Sequence, residues 1–176
     1  MPVVDIRRHA QRRSLDDQQS ALSTEGIALC EKLATDAPRY ALVVSSPLPR
    51  AKETAQRIAG RLDAADPALL PDLGSYASSI FGELHTLADW AGLLHDNAEA
   101  QRFAEEQLPA WARIASRVGE RERVLAVSHG GIIELPAILL MQRLKVAVSG
   151  PSFGFGEGVR LTYAKGQPGV LEILRV

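Results

Sequence analysis

Three short runs of this chain, "PVVDI" at 2–6, "YALVVS" at 40–45 and "RVLAVS" at 123–128, are continuous, apolar and rich in β-branched residues. A strand with one solvated face alternates apolar and polar residues. A strand apolar throughout is buried on both faces, which in a mainly parallel sheet requires helices on either side. Helical patterns fill the intervals. Pro49 stands where a helix's first turn tolerates the missing N–H, and Ala51, Thr54, Ala55, Ile58, Ala59 and Leu62 follow at helical spacing. Ser23 or Thr24 caps an earlier helix that buries Ile27, Cys30, Leu33, Ala34 and Ala37. Pro109 divides a later helical region, after which Trp111, Ile114, Ala115 and Val118 repeat the stripe. "GVRLTYA" and "VLEILRV" flank "KGQPG", the pattern of a hairpin. The expectation is an α/β three-layer sandwich: a mainly parallel central sheet, helices on both faces and a C-terminal hairpin.

The 176 residues suit one domain spanning 1–176, with the segment at about 72–97, which fits neither period, as an insertion above the sheet. A net charge of −1 argues against a protein that coats nucleic acid or an anionic membrane. Cys30 is the only cysteine, so neither an intrachain disulfide nor a CxxC metal site is available. No apolar run approaches the ~20 residues of a membrane span, and the first residues lack the apolar core of a secretory signal. A cytoplasmic location is expected. Oligomeric state is not written in these patterns.

Against that neutral balance, "DIRRHAQRR" at 5–13 sets one histidine among four arginines. It follows the first buried strand. "SSPLPRA" follows the second and carries Arg50; "SHGG" follows the third and carries His129. In an open parallel sheet the carboxyl ends of the strands share one edge, where ligands bind. Arg8, His9, Arg50 and His129 therefore converge in this reading. Guanidinium repels metal cations and matches phosphate oxygens with paired N–H donors. Gly130 and Gly131 let the backbone approach an anion, and a helix starting after them aims free N–H groups at the same edge. A cationic surround keeps the His9 imidazole neutral and nucleophilic. The predicted chemistry is in-line attack of His9 on phosphorus, giving a phosphohistidine that water hydrolyses.

"RRHA", "LSTEG", "SSPLPRAKETA" and "VSHGG", in this order, resemble the histidine phosphatase superfamily, also called phosphoglycerate-mutase-like. The resemblance implies a central mixed sheet with helices on both sides. It makes His9 the phospho-accepting residue, completes the phosphate pocket with Arg8, Arg50 and His129, and requires no metal or organic cofactor. The chain departs from the usual pattern at Ala10, where many members have Gly, and at Gln11, Arg12 and Arg13, where substrate contacts usually include an acidic residue.

An alkoxide leaving group needs a proton, and a carboxylic acid is the expected donor. The family often takes it from a Glu in a pattern resembling "LrE…fGeweG". Here "LPDLGSYASSIFGELH" matches at "FGE", which nominates Glu83, with Asp72 behind it; the place of the usual acid falls at 74–79, which has no carboxylate. Arg12 and Gly130 are candidate substrate contacts. Ser45, Ser46 and Ser128 are read as structural, His85 and His95 as surface residues, Cys30 as core, and Trp90 and Trp111 as packing. "SFGFGEG" at 152–158 borders the pocket or enters the hairpin. The expected partner is a small phosphorylated substrate or a phosphoprotein, with neither nucleic acid nor membrane. A mutase shares the same site but needs a closing lid and an extended tail, which a chain ending soon after its hairpin is expected to lack. A phosphate-binding adaptor without an effective acid is the non-catalytic alternative.

Overall fold

The computed structural model describes residues 1–73 and 83–176. In chain order these form β1 (Val3–Arg8), α1 (Thr24–Thr35), β2 (Leu42–Ser45), α2 (Pro49–Ala59), β3 (Ala64–Ala65), a 3₁₀ turn (Pro67–Leu69), α3 (Leu87–Asp96), α4 (Ala98–Ala115), β4 (Arg123–Ser128), α5 (Glu134–Arg143), β5 (Gly158–Ala164) and β6 (Gln167–Leu174). The sheet order is β3-β2-β4-β1-β5-β6. The first four strands in that order are parallel. The β5–β6 hairpin joins antiparallel beside β1.

The apolar runs occupy the middle of the sheet, and their side chains alternate between two cores, as a pleat demands. Val4, Ile6, Val44, Val124 and Ala126 face one core with Trp90, Trp111 and Ile138 from α3, α4 and α5. Val43, Leu125 and Val127 face the other, with Cys30 from α1 and Ala51, Ala55 and Ile58 from α2. The three-layer expectation holds. Among the described residues no helix is long and apolar enough to cross a membrane.

Two details of the helical reading change. Pro109 does not divide its region: α4 runs through it from Ala98 to Ala115. Pro109 and Glu105, the residue whose carbonyl loses its donor, are both exposed, so water can serve that carbonyl and the kink penalty is softened. The insertion holds a regular helix, α3, opened by a capping box in which Thr86 and Asp89 exchange side-chain and backbone bonds. That Thr-x-x-Asp spacing was available in the sequence.

The "LSTEG" motif acquires a structural cause. Ser23 caps α1, its hydroxyl accepting the Gly26 N–H at 3.1 Å. The Ser23 N–H in turn donates to the Gln11 carbonyl at 2.9 Å. A Cβ at Gly26 would stand 2.2 Å from that same carbonyl oxygen. The first turn of α1 is thus pressed against the segment leaving His9, at a distance only glycine permits. Gly26→Ala is expected to cost about 2–3 kcal/mol, which lowers Tm by roughly 4–12 °C in a domain of this size; thermal unfolding followed by circular dichroism measures it.

Candidate active site

The strand ends meet in one row. Arg8 is registered against Ser128, and Ser45 against Val127. The His9 N–H donates to the Ser128 carbonyl and the Ser46 N–H to the Val127 carbonyl, each at 2.9 Å. His9, Ser46 and His129 are consequently the first residues past three adjacent strands. Thr54 locks the arrangement. Its hydroxyl accepts the Ala10 N–H at 2.9 Å and donates to the Arg50 carbonyl at 2.7 Å, tying the loop after His9 to the helix that carries Arg50.

The His9 imidazole is 6% exposed. Its Nδ1 lies 2.7 Å from the Ala10 carbonyl oxygen. A carbonyl can only accept, so the ring proton sits on Nδ1 and Nε2 carries a free lone pair. Arg50 Nε donates to that lone pair at 3.1 Å. The His129 ring stands 5.0 Å from the His9 ring, centroid to centroid. Its Nε2 bonds Ser46 Oγ at 2.6 Å. Its Nδ1 is buried and has no hydrogen-bond partner among the described residues.

Both imidazoles are held neutral. His9 is pushed down to about 3 and His129 to about 2. Burial is the largest cause at each, ahead of the charges of Arg50, Arg8 and Arg12. For His129, His9 adds to the effect before the arginines. The cationic surround predicted from sequence is therefore present but secondary to desolvation.

Arg50 sits in the first turn of α2, which contains no acidic residue, so its charge adds to the positive end of the helix dipole. Its terminal nitrogens donate to Gln18, Nη1 to the carbonyl at 3.0 Å and Nη2 to Oε1 at 3.2 Å. Arg12 reaches the same Oε1 at 3.3 Å. Arg8 donates from Nη1 to the Phe153 carbonyl at 2.8 Å and lies over the Phe155 ring, 4.6 Å from its centroid. A Cβ at Gly130 would stand 2.9 Å from Arg8 Cζ, so this glycine admits the guanidinium.

These groups line a cleft of about 440 Å³. Arg8, His9, Arg12, Arg50, His129 and Gly130 form its polar floor; Leu15, Leu48, Leu70, Leu73, Ile132 and Phe155 give it an apolar rim, with Gln18 between. A larger groove of about 630 Å³ runs between α4, α5 and the hairpin turn. It is lined by Leu108, Leu140, Leu144 and the Arg143–Glu105 ion pair and contains no histidine or cysteine. The smaller cleft is the one that gathers the imidazoles and guanidinium groups. Three guanidinium groups around two neutral imidazoles suit a tetrahedral dianion. Among the described residues no three His, Cys, Asp or Glu side chains cluster in a way that would hold a metal ion.

Of the residues predicted from sequence, Arg8, His9, Arg12, Arg50, His129 and Gly130 come together. Glu83 is exposed at the edge of the described segment and is not among the cleft's lining residues. Asp72 is also exposed, but its neighbours Leu70 and Leu73 form part of the rim. The stretch at 74–79, where the usual acid would fall, lies outside the described residues. The helix expected directly after "SHGG" begins two residues later, at Glu134. Ser46, read as a strand-end residue, also bonds the His129 ring at 2.6 Å. Ser128 bonds the distant Leu69 carbonyl at 2.8 Å rather than a local group. Phe155 lines the cleft from the 152–158 stretch read as bordering the pocket or entering the hairpin; Gln18 was not assigned from sequence, and a glutamine in a polar loop carries no signal that would have revealed it.

No curated protein matches the sequence significantly. Among solved structures, phosphoserine phosphatase of Entamoeba histolytica in complex with 3-phosphoglyceric acid superposes with a TM-score of 0.68 at 17% identity, covering 100% of this chain and 98% of that one. The alpha-ribazole phosphatase of Shigella flexneri gives 0.60 at 17% identity, covering 98% and 95%. The phosphoglycerate mutase of Bacillus anthracis gives 0.60 at 16%, covering 99% and 92%. These establish the fold as phosphoglycerate-mutase-like. Residues 6–151, which hold all four motifs, match the family model of branch 1 of the histidine phosphatase superfamily, and the chain belongs to that superfamily.

Proposed function

We propose that the chain is a phosphatase that hydrolyses a phosphate monoester through a phosphohistidine on His9. The observation that carries this reading is the His9 ring itself: Nδ1 spent on the Ala10 carbonyl, Nε2 bare except for the Arg50 N–H. A neutral imidazole fixed in this tautomer needs no deprotonation before attack. The substrate's dianion displaces Gln18 from Arg50 and Arg12, and its non-bridging oxygens take up the guanidinium donors, which strengthen as charge spreads in the transition state. The Nε2 lone pair forms the N–P bond while the ester P–O bond breaks and its electron pair leaves on oxygen. A carboxylic acid protonates that oxygen. Water then attacks phosphorus, its proton passing to the carboxylate, and the N–P pair returns to Nε2 as orthophosphate leaves. Asp72, flanked by rim residues, is the first candidate for the donor, and Glu83 the second. The apolar rim receives the ester group.

A base-quenched reaction with labelled phosphoester is expected to leave acid-labile label on His9, and His9→Ala to lose both label and turnover, by at least about 10⁴-fold. Turnover surviving in that variant would end the proposal. Arg50→Ala removes the donor nearest the nucleophile and is expected to lower kcat/KM by about 10²–10³-fold.

The donor is read from a substrate pair. Asp72→Asn is expected to lower kcat/KM for an alkyl phosphate by about 10²-fold and to spare p-nitrophenyl phosphate, whose leaving group departs unprotonated. The same pattern in Glu83→Gln would move the role there. A mutase forms the same intermediate, so the fate of the label separates the two: orthophosphate for a phosphatase, a second phosphoester for a mutase.

A further inference from the structure

Behind the cleft wall lies a carboxylate that the mechanism does not use. Glu134 opens α5 and is 1% exposed. Its Oε2 accepts the Gly131 N–H at 2.7 Å, clamping the turn after His129 at a residue whose φ is 84°. Gly130, the other half of that turn, packs against the Arg8 guanidinium. Arg8 and Glu134 attract one another across this layer. A second carboxylate, Glu157, also acts on Arg8, but it is bonded to Arg175 at 2.6 Å and to the Gly154 N–H at 2.8 Å. Arg8 thus faces the cleft with one side and a sealed acid with the other.

We propose that Glu134 tunes the anion affinity of the cleft, its buried charge subtracting from the field that Arg8 presents to a bound dianion while its bond to Gly131 keeps the turn in place. The inference rests on reading the cleft as a phosphate pocket. Two charges that share one cation compete for it. A dianion in the cleft makes ionisation of Glu134 more costly, and by reciprocity ionised Glu134 weakens the dianion's binding.

The balance falls in an accessible range. Burial pushes Glu134 up to about 7, against the opposing pull of Arg8 and of the Glu134, Gly131 and Phe153 amides. Arg8 from β1 is the charged group acting on it, with Glu157 reaching it only through Arg8. In the cleft itself His9 and His129, at about 3 and about 2, stay neutral beside the guanidinium groups of Arg12 and Arg50. Because the native carboxyl holds its proton more tightly than the unfolded chain does, this residue's contribution to stability falls as pH rises through the window from 4.5 to about 7.

The probe is sulfate, a dianion at every pH used, titrated calorimetrically into the whole chain from about pH 5.5 to about pH 8.5, with Arg50→Ala locating the site. Sulfate binding is expected to weaken at least about fivefold across that range. In Glu134→Gln, which keeps an acceptor for Gly131, affinity is expected to stay flat at the tighter value, and in Glu134→Met, which fills the space without an acceptor, it is expected to be flat with pH as well. A flat profile in the unmodified chain, or the same slope in a folded variant, overturns the proposal, and the first of these does not depend on any variant folding. Flat binding that still requires Arg50 overturns this inference alone; no sulfate binding at any pH overturns the phosphate pocket with it.

Discussion

The parallel pairing of β4 with β1 on one side and β2 on the other is the constraint from which the site follows. It sets Arg8 beside Ser128 and Ser45 beside Val127, so His9 and His129, the next residues along β1 and β4, begin the cleft. Side chains alternate along a strand, and a slip of one residue would send the apolar set of β1 to the wrong face. The same registers that bury Val4 and Ile6 against one helical layer, and Val43, Leu125 and Val127 against the other, therefore also fix where His9 and His129 stand. Core packing and the geometry of the candidate site are one specification here.

The electrostatics work by subtraction from water. Two imidazoles and an arginine lie more than nine-tenths buried at one sheet edge, where charge is costly. The imidazoles respond by staying neutral, and the arginine donors are held by Gln18 and, at Nε, by His9. Arg8 is supported from behind by Glu134 and from above by the Phe155 ring. The polar floor is thus held in place by the protein's own contacts, the kind of arrangement in which donors act on developing charge without reorganising.

How much of this was legible in the sequence depends on whether a residue's role is local. The three central strands, the hairpin and α2 were readable because periodicity and Pro49 report on their own neighbourhood, whereas the two-residue edge strand β3 was not. The convergence of Arg8, Arg50 and His129 was readable because parallel topology places every strand end on one edge. What escaped depends on contacts between distant segments. Gln18 reaches Arg50 from a loop without pattern, Ser46 bonds the ring of a residue 83 positions away, and the burial of Glu134, with the pull of Arg8 on it, depends on a strand far from α5 in the sequence. Pro109 misled because its cost depends on solvent access to one carbonyl, which no spacing encodes.

The account turns on the His9 imidazole being neutral, with its proton on Nδ1 and a lone pair on Nε2, in the free protein. Nitrogen-15 NMR of the histidine rings, followed from about pH 5 to about pH 8, observes this directly because each nitrogen's shift reports its protonation. The account predicts no titration of His9 in that range and a shift pattern with the proton on Nδ1. A midpoint near the ordinary value of 6.5, or the proton on Nε2, would contradict it.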